Sequence, residues 1–252
     1  MLRPCRYPLK EEHAICLHAM NSNPRLPALF LSLAATAALL SASPAPSVPA
    51  TTRASEPAQL ESIQLAPPLL DKGAPLMHAL KQRRSIRNLA DRPLSHQHLS
   101  EILWAANGIN RDDGKRTVPS ALARYPIDVY AVLEEGVYLY EPAGHRLVPI
   151  AAGDFRQHTG SQAYVHTAPL NLVYVVDLER LNGPGADPMD ESRLRIAGIE
   201  VGCMAQNVYL YCASEGLGTT VRTSIQDQRF GPAIRARPTQ RIIAAQAIGH
   251  PR

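Results

Sequence analysis

The sequence predicts an α+β fold, and three stretches carry that prediction. Residues 127–140 alternate apolar and polar side chains on either side of Glu135-Gly136, which indicates a β-hairpin. Residues 172–176 are entirely apolar, as expected of a strand that is buried on both faces. Residues 191–215 place apolar or small residues nearly all round a helix, which indicates a buried central helix. Interspersed strands and helices with an early hairpin favour an α+β arrangement.

Composition and charge narrow the class of protein. The chain has 252 residues, 45% of them hydrophobic and 19% charged, so it can bury a core without disulfides. Its net charge of +4 mildly favours anionic ligands but is too small to indicate a nucleic-acid partner. Cys203 and Cys212 lie nine residues apart on one predicted helix and point to opposite sides, which excludes a bond between them. No Cys-x-x-Cys, His-x-x-x-His or clustered ligand set is present, so no metal site is predicted.

The first 50 residues have the pattern of an export signal. A second methionine, Met20, is followed by Arg25, an apolar run over residues 28–40 and small residues up to position 50, the layout of a secretory signal peptide. The sequence therefore predicts an N-terminal extension over residues 1–50, a start at Met20 and a periplasmic or secreted protein. The alternative is a disordered Ala/Pro/Ser-rich tail on a cytoplasmic protein. The apolar run is too short to span a bilayer, so stable membrane insertion is not expected.

The folded domain is predicted to begin after a linker. Residues 51–74 are rich in Pro, Ala and Ser with little periodicity, which is typical of a linker, and the domain then covers residues 75–252. Leu76 and Leu80 predict a short first helix. The next helix is predicted over residues 93–106, with Ser95 as its N-cap and Gly108 after its end.

The remaining elements are predicted from local patterns in the same way. In chain order they are a loop over residues 110–119, a strand over 169–177, a Gly/Pro turn over 182–187, a helix stop at Gly216 to Gly218, a loop or short strand over 221–224 and a last strand over 242–248.

The first candidate site is the basic stretch at residues 81–87. It holds four fixed positive charges and a hydroxyl in seven positions, and Arg83, Ser85 and Arg87 alternate toward one side. Guanidinium groups bind phosphate bidentately and a serine hydroxyl adds a further hydrogen bond, so the cluster suits a phosphomonoester. The alternatives are a solvated basic face and a nonspecific nucleic-acid patch.

A series of motifs resembles the FMN-dependent nitroreductase family. They are the basic cluster itself, the helix end at residues 103–108, Val118-Pro119-Ser120-Ala121, the hairpin at 128–140, Glu200 and Gln206-Asn207 on the long helix, the turn at 216–220, and the closing residues 248–252. Their order and spacing over about 175 residues fit one domain of that family. Within it, the hairpin at 136–142 resembles the branch that contains SagB-type azoline dehydrogenases of peptide maturation.

The resemblance implies a fold, a cofactor and a set of site residues. It implies a mixed, largely antiparallel sheet wrapped by helices, and a homodimer with FMN at its interface and NAD(P)H as the hydride donor. Because the isoalloxazine carries the redox chemistry, no residue is singled out as catalytic. The residues that match flavin-contacting positions are Arg83, Arg84, Ser85 and Arg87 for the phosphate, ribityl chain and pyrimidine edge, Pro119, Ser120 and Ala121 beside the ring of the partner subunit, Arg222 and Thr223 near flavin N5, and Arg252 returning to the phosphate.

Two departures from the family pattern bear on function. Ala123-Arg124-Tyr125 stands where many nitroreductases have Asn-x-Gln, so one flavin contact is missing or is supplied by Arg124. The Lys-Tyr pair of active azoline dehydrogenases has no counterpart at residues 187–190. The sequence thus predicts an oxidoreductase that passes a hydride through FMN to a small acceptor such as a quinone or nitroaromatic compound. The alternatives are a noncatalytic exported flavin- or anion-binding module and an azoline-type dehydrogenase.

Overall fold

One antiparallel sheet organises the domain. The computed structural model describes residues 60–182, 190–225 and 227–252. The strands in these ranges are β1 (Ile63–Gln64), β2 (Leu89–Ala90), β3 (Ile127–Val132), β4 (Gly136–Glu141), β5 (Arg146–Ala152), β6 (Leu170–Asp177), β7 (Gly218–Arg222) and β8 (Gln240–Pro251). They pair in the order β1-β5-β4-β3-β6-β8-β2, and β7 also pairs with β8. Every pairing among them is antiparallel.

Helices cover both faces of this sheet. They are α1 (Leu76–Gln82), α2 (His96–Asn107), α3 (Ala163–Thr167), α4 (Leu178–Asn182), α5 (Glu191–Ser214) and α6 (Asp227–Ala233), with two 3-10 helices at Ala121–Ala123 and Arg156–Thr159. The predicted α+β fold with a largely antiparallel sheet is confirmed.

The central strand β6 is buried on both faces, as its apolar sequence predicts. All eight of its residues are buried. Leu172 and Tyr174 belong to a core cluster with side chains of α2 and α5, whereas Val173 packs in a second cluster with Phe230 of α6. Because alternate side chains of a strand point to opposite faces, β6 joins the two layers of the core.

The predicted helix ends match the structure closely. The Ser95 hydroxyl caps α2 by accepting a hydrogen bond from the N–H of His98 at 3.1 Å, and Gly108 closes the helix. The carboxylate of Asp190 caps α5 in the same way. After α5, Gly216 has φ +69°, a left-handed conformation that costs glycine nothing. The chain can therefore turn sharply from α5 into β7.

Residues 60–74 are packed against the domain, so the predicted linker over residues 51–74 is wrong for this part. Residues 63 and 64 pair with β5. The N–H of Ala66 donates to the Ser100 hydroxyl at 2.9 Å, and that of Leu69 donates to Glu101 Oε1 at 3.0 Å. The sequence did not predict the structure of this segment, because its backbone N–H groups bond to side chains of a helix that is distant in sequence. No local periodicity reflects such contacts.

Two elements have no clear local signal. Strand β5 contains Pro149, which ordinarily argues against a strand. Pro149 lies where the register with β4 shifts, between the partners of Val137 and Tyr138, and proline is tolerated at such irregularities. Helix α6 contains Pro232 near its end. The last strand also runs three residues beyond its predicted end at Ile248, because β2 pairs with residues 250 and 251.

Several sequence predictions lie outside the described residues. They include the N-terminal extension over residues 1–50, with its export signal and start site, and most of the turn at 182–187. Export and location therefore stay predictions. Within the described ranges, no helix is both long enough and apolar enough to cross a membrane.

Candidate functional site

The basic cluster meets α5 and β7 at a single tyrosine. The Tyr209 hydroxyl lies 2.8 Å from the Ser85 hydroxyl and accepts a hydrogen bond from the N–H of Val221 at 3.0 Å. Either hydroxyl of the Ser85–Tyr209 pair can donate its proton to the other. The guanidinium carbon of Arg83 lies 5.3 Å from the centre of the Tyr209 ring, within cation–π range. Tyr209 therefore sets the positions of two predicted phosphate-binding residues.

A cavity of about 230 Å³ opens beside Tyr209. It is lined by Arg84 and Gln82, by residues of α5, of β7 and of the turn between them, and by Pro251. No residue that lines it carries a carboxylate. The cavity is thus suited to an anionic group.

Close packing holds the cluster against the sheet. The N–H of Ile86 donates to the carbonyl of Thr219 at 3.0 Å. A Cβ at Gly218 would lie 2.7 Å from the Leu89 side chain and 2.9 Å from that of Ile86, so a larger residue here would force these side chains to shift. The N–H of Arg252 donates to the carbonyl of Asn88, which brings the C-terminus to the same corner. The backbone therefore brings Arg252 next to the cluster, in which Arg83 is half-buried and Arg84, Ser85 and Arg87 are exposed.

The segment that contains Pro119, Ser120 and Ala121 is anchored elsewhere on α5. Oε1 of Glu200 accepts hydrogen bonds from the Ser120 hydroxyl at 3.0 Å and from the N–H of Ala121 at 2.8 Å. Glu200 is buried, and its Oε2 has no partner within the described residues. Next to this anchor, Leu122 has φ +54° and is 85% exposed. Hydrogen bonds to the buried Glu200 carboxylate thus hold a strained turn that presents an apolar side chain to solvent.

The two groups of site residues do not meet within one subunit. Glu200 and Tyr209 are nine residues apart on α5, which places them on opposite sides of the helix and about 13 Å apart along it. The Glu200 anchor and the basic cluster are therefore separated by α5.

Comparison with known proteins decides the family. The nitroreductase family profile matches residues 80–250, which is well over half of the chain. The chain belongs to the nitroreductase family. The resemblance drawn from its motifs is confirmed.

Two relatives of this nitroreductase are similar over most of their own length. A protein of Methanocaldococcus jannaschii that carries the name nitroreductase is 37% identical over 154 residues, 57% of this chain and 76% of the relative. A crystal structure from Ralstonia eutropha, also named as a nitroreductase, is 38% identical with a TM-score of 0.71, and the match covers 77% of this chain and 90% of that one.

More distant structures share the nitroreductase fold. The NADPH:FMN oxidoreductase of Vibrio harveyi, complexed with NAD⁺, is 20% identical with a TM-score of 0.53 over 70% of this chain and 68% of that one. The E. coli microcin synthetase complex McbBCD, with truncated pro-MccB17 bound, is 23% identical with a TM-score of 0.56 over 66% and 67%. At these identities the likeness shows a common fold, and the azoline-dehydrogenase branch stays a prediction.

The two nitroreductase motif residues at the end of β7, Arg222 and Thr223, lie in different environments. Thr223 is exposed, whereas Arg222 is buried. Nη2 of Arg222 donates to the carbonyl and hydroxyl oxygens of Thr159 at 2.9 and 3.0 Å and to Oδ1 of Asn171 at 3.0 Å. The side chain of Arg222 is therefore engaged by the 3-10 helix and β6, away from the basic cluster.

The segment Ala123-Arg124-Tyr125, which stands where many nitroreductases have Asn-x-Gln, makes contacts within its own chain. Nη1 of Arg124 donates to the carbonyl of Leu181 at 3.1 Å, at the end of α4. Arg116 stacks over the Tyr125 ring, with its guanidinium carbon 4.5 Å from the ring centre. These contacts hold the segment in place within its own subunit, and the contact of Arg124 with a flavin stays a prediction.

Sequence reasoning missed the roles of Tyr209 and Glu200. Glu200 stood out as part of a motif, but its contact with Ser120 did not, and Tyr209 reads as one more apolar position of the long helix. Both act through contacts with residues more than 75 positions away. Within the described residues, no group of three or more His, Cys, Asp or Glu could hold a metal ion.

Replacing Tyr209 by phenylalanine tests the central contact. The change removes the acceptor for the N–H of Val221 and the partner of Ser85. We therefore expect the free energy of unfolding to fall by about 1 to 3 kcal/mol and FMN affinity to fall about tenfold. Thermal unfolding and FMN titration measure the two effects. Tyr138→Phe, which removes a hydroxyl on β4, is the control. Unchanged FMN affinity in Tyr209→Phe would show that Ser85 needs no positioning by Tyr209.

Proposed function

We propose that this nitroreductase binds FMN at the corner of Arg84, Ser85 and Tyr209 and passes a hydride from a reduced nicotinamide to a small electrophilic acceptor. The observation that carries the proposal is the cavity at this corner, which Arg84 lines and no carboxylate enters, in the segment that the family motif matches. The two relatives above 35% identity are both named as nitroreductases, which supports a nitroaromatic acceptor.

The residues present fit the phosphate end of FMN. The guanidinium groups of Arg83 and Arg84 supply charge-assisted donors, and the Ser85 hydroxyl is already oriented by Tyr209. No carboxylate lines the cavity to oppose a dianion. When bound, FMN supplies a ring that accepts and returns a hydride. The chain's own residues hold the phosphate, fix the exposed end of β7 beside the ring and shape the opening for the acceptor.

A homodimer completes the site in this proposal. The cavity, at about 230 Å³, is smaller than the pockets of about 300 to 1,000 Å³ that enclose ligands of this size. Leu122 of a second chain supplies an apolar wall, because it is 85% exposed and fixed by Glu200 on the side of α5 away from the cavity. Leu76 and Met77 add an exposed apolar patch on α1, of the kind that marks interfaces.

The proposal is tested with protein that begins at residue 51 and is purified from the cytosol of an expression host. We expect a yellow dimer, seen by absorbance at the flavin band and by light scattering. NADPH should bleach the flavin without oxygen, and a nitroaromatic compound or quinone should restore the colour. A colourless monomer that takes up no FMN contradicts the proposal. Bound FMN that no nicotinamide reduces would favour the noncatalytic module instead.

A further inference from the structure

A second cavity lies at the opposite end of β8 from the basic cluster. Its volume of about 480 Å³ falls within the range of about 300 to 1,000 Å³ that is typical of small-molecule sites. Gln240, the first residue of β8, lines it, whereas Pro251, the last, lines the cavity beside Tyr209. Because a strand rises about 3.3 Å per residue, about 35 Å of strand separates these two residues. The second cavity is therefore distinct from the proposed flavin site.

Arginines dominate the lining of this second cavity, which we call the arginine cavity. Among the described residues, no carboxylate lines it. The end of α6 and the start of β8 supply apolar walls, and the chain between and after them supplies the cations. The apolar residues are Pro232, Ala236 and Ile242, and the arginines are Arg235, Arg237 and Arg241.

Two of the three arginines have no carboxylate partner. Arg237 pairs with the buried Asp177 of β6, which also pairs with Arg180. Arg180 pairs in turn with Asp128, so these four charges balance. Within the part of the chain that the structure describes, no ion pair involves the other two arginines of the cavity. The arginine cavity therefore keeps two unpaired positive charges.

The guanidinium of Arg241 is held in place by backbone carbonyls. Its Nη1 donates to the carbonyls of Pro238 and Gln240 at 2.8 and 2.7 Å. The Gln240 side chain braces the same turn, because its Oε1 accepts a hydrogen bond from the N–H of Arg237 at 2.9 Å. Neutral carbonyls orient the guanidinium without cancelling its charge, and a guanidinium has five N–H donors. Arg241 is thus positioned with donors to spare for an anion.

Arg235 occupies a position where glycine is ordinarily preferred. It follows the last turn of α6 with φ +51°, in the left-handed region, and its side chain is exposed. Its N–H donates to the carbonyl of Pro232 at 3.1 Å, and the N–H of Ala236 donates to that of Gly231 at 3.0 Å. These two bonds form a Schellman motif, in which this position is usually glycine. The chain keeps an arginine here at a conformational cost, which indicates that its side chain has a role other than stability.

We propose that the arginine cavity binds a soluble phosphomonoester, with its phosphate at Arg235 and Arg241 and its organic part against the apolar walls. Two unpaired guanidinium groups match the charge of about −1.5 to −2 that a phosphomonoester carries at pH 7. Guanidinium also binds phosphate oxygens bidentately. A monocarboxylate would leave one of the two charges unmatched. The cavity volume accommodates an organic body in addition to the anion.

Titration calorimetry of the full chain with AMP tests the site through Arg235→Gly. This change removes one guanidinium and relieves the left-handed backbone. We expect AMP affinity to fall about 10- to 100-fold, as for the loss of one charge-assisted hydrogen bond, and Tm to rise by about 2 to 4 °C. Adenosine lacks the phosphate, so its affinity should change little. Arg241→Met should weaken AMP binding in the same way.

Arg229→Ala is the matched control, because Arg229 is an exposed arginine of α6 that does not line the cavity. We expect its AMP affinity to stay within about twofold of the wild type. Equal losses in Arg229→Ala and Arg235→Gly would show a diffuse basic face and contradict the proposal. AMP binding that is lost in Arg84→Ala but kept in Arg235→Gly would place AMP beside Tyr209 instead.

Two further results would also overturn the proposal. One is a wild-type protein that binds neither AMP nor inorganic phosphate at millimolar concentration. The other is binding to vesicles of phosphatidylglycerol and phosphatidylcholine that AMP does not compete with, because the arginines would then serve a membrane surface. Neither result depends on whether the protein binds FMN, so failure of this proposal is distinguishable from failure of the proposed function.

Discussion

Replacing Arg83 and Arg84 together by alanine is expected to weaken FMN binding by about two to four orders of magnitude. Each charge-assisted hydrogen bond to a partly dry phosphate contributes about 1.5 to 3 kcal/mol, so the loss of two gives about 3 to 6 kcal/mol if they act independently. Arg83 lies over Tyr209 and Arg84 lines the adjoining cavity, so both reach the same corner.

Riboflavin separates phosphate binding from other effects. It lacks the phosphate, so its affinity should differ little between the wild type and the double variant when both are titrated at fixed ionic strength. Arg229→Ala combined with Arg235→Ala removes two exposed arginines elsewhere and controls for net charge. A solvated basic face predicts less than about a threefold change for FMN, under 1 kcal/mol. Equal FMN affinity in the wild type and the Arg83/Arg84 variant would end the case for this cluster as a phosphate site.

Replacing Glu101 by glutamine is expected to lower the free energy of unfolding by about 3 kcal/mol at pH 7. Burial alone would raise the pKa of Glu101, but hydrogen bonds from Lys72, Tyr211 and the N–H of Leu69 outweigh it and lower the pKa from 4.5 to about 2. A shift of this size corresponds to about 3 kcal/mol of stability. The contacts join residues 60–74, α2 and the end of α5, which leads directly into β7.

The sign of the pH dependence follows from the lowered pKa. Because the folded-state pKa lies below the unfolded-state value, the stabilisation is present above about pH 4.5 and is lost as the pH falls toward 2. Urea unfolding of both proteins between pH 3 and pH 8 should show a difference that shrinks at the acid end. Glu191→Gln, at an exposed position in the first turn of α5, is the control. A difference that stays constant down to pH 3 would show that Glu101 acts through its shape alone.

The hydrogen bonds of Glu101 and those of Tyr209 connect the stability of the fold to the proposed activity. Glu101 holds the end of α5 through Tyr211, and Tyr209 on the same turn holds Ser85 and Val221. Loss of Glu101 should therefore also loosen the phosphate corner, although no part of its side chain lines the cavity.

Local sequence determined the elements that are marked by a hydrophobic pattern, a capping residue or a turn glycine. The apolar run of β6, the hairpin of β3 and β4, the Ser95 cap and the stop at Gly216 each depend on neighbouring residues, so the sequence predicts them without knowledge of the fold. The motif order likewise identified the family, and the basic cluster indicated an anion site from residue chemistry alone.

Only the tertiary structure decided how these pieces meet. Residues 60–74 acquire their structure from Ser100 and Glu101, and β5 is a strand because β4 and β1 flank it. The pairing of Tyr209 with Ser85 and of Glu200 with Ser120 depends on helix α5 lying between distant segments. Arg222 was predicted beside the flavin from its motif, yet its charge is buried among neutral oxygens. Such contacts join residues far apart in sequence, and burial and hydrogen bonding across them are properties of the packed chain that no local pattern contains.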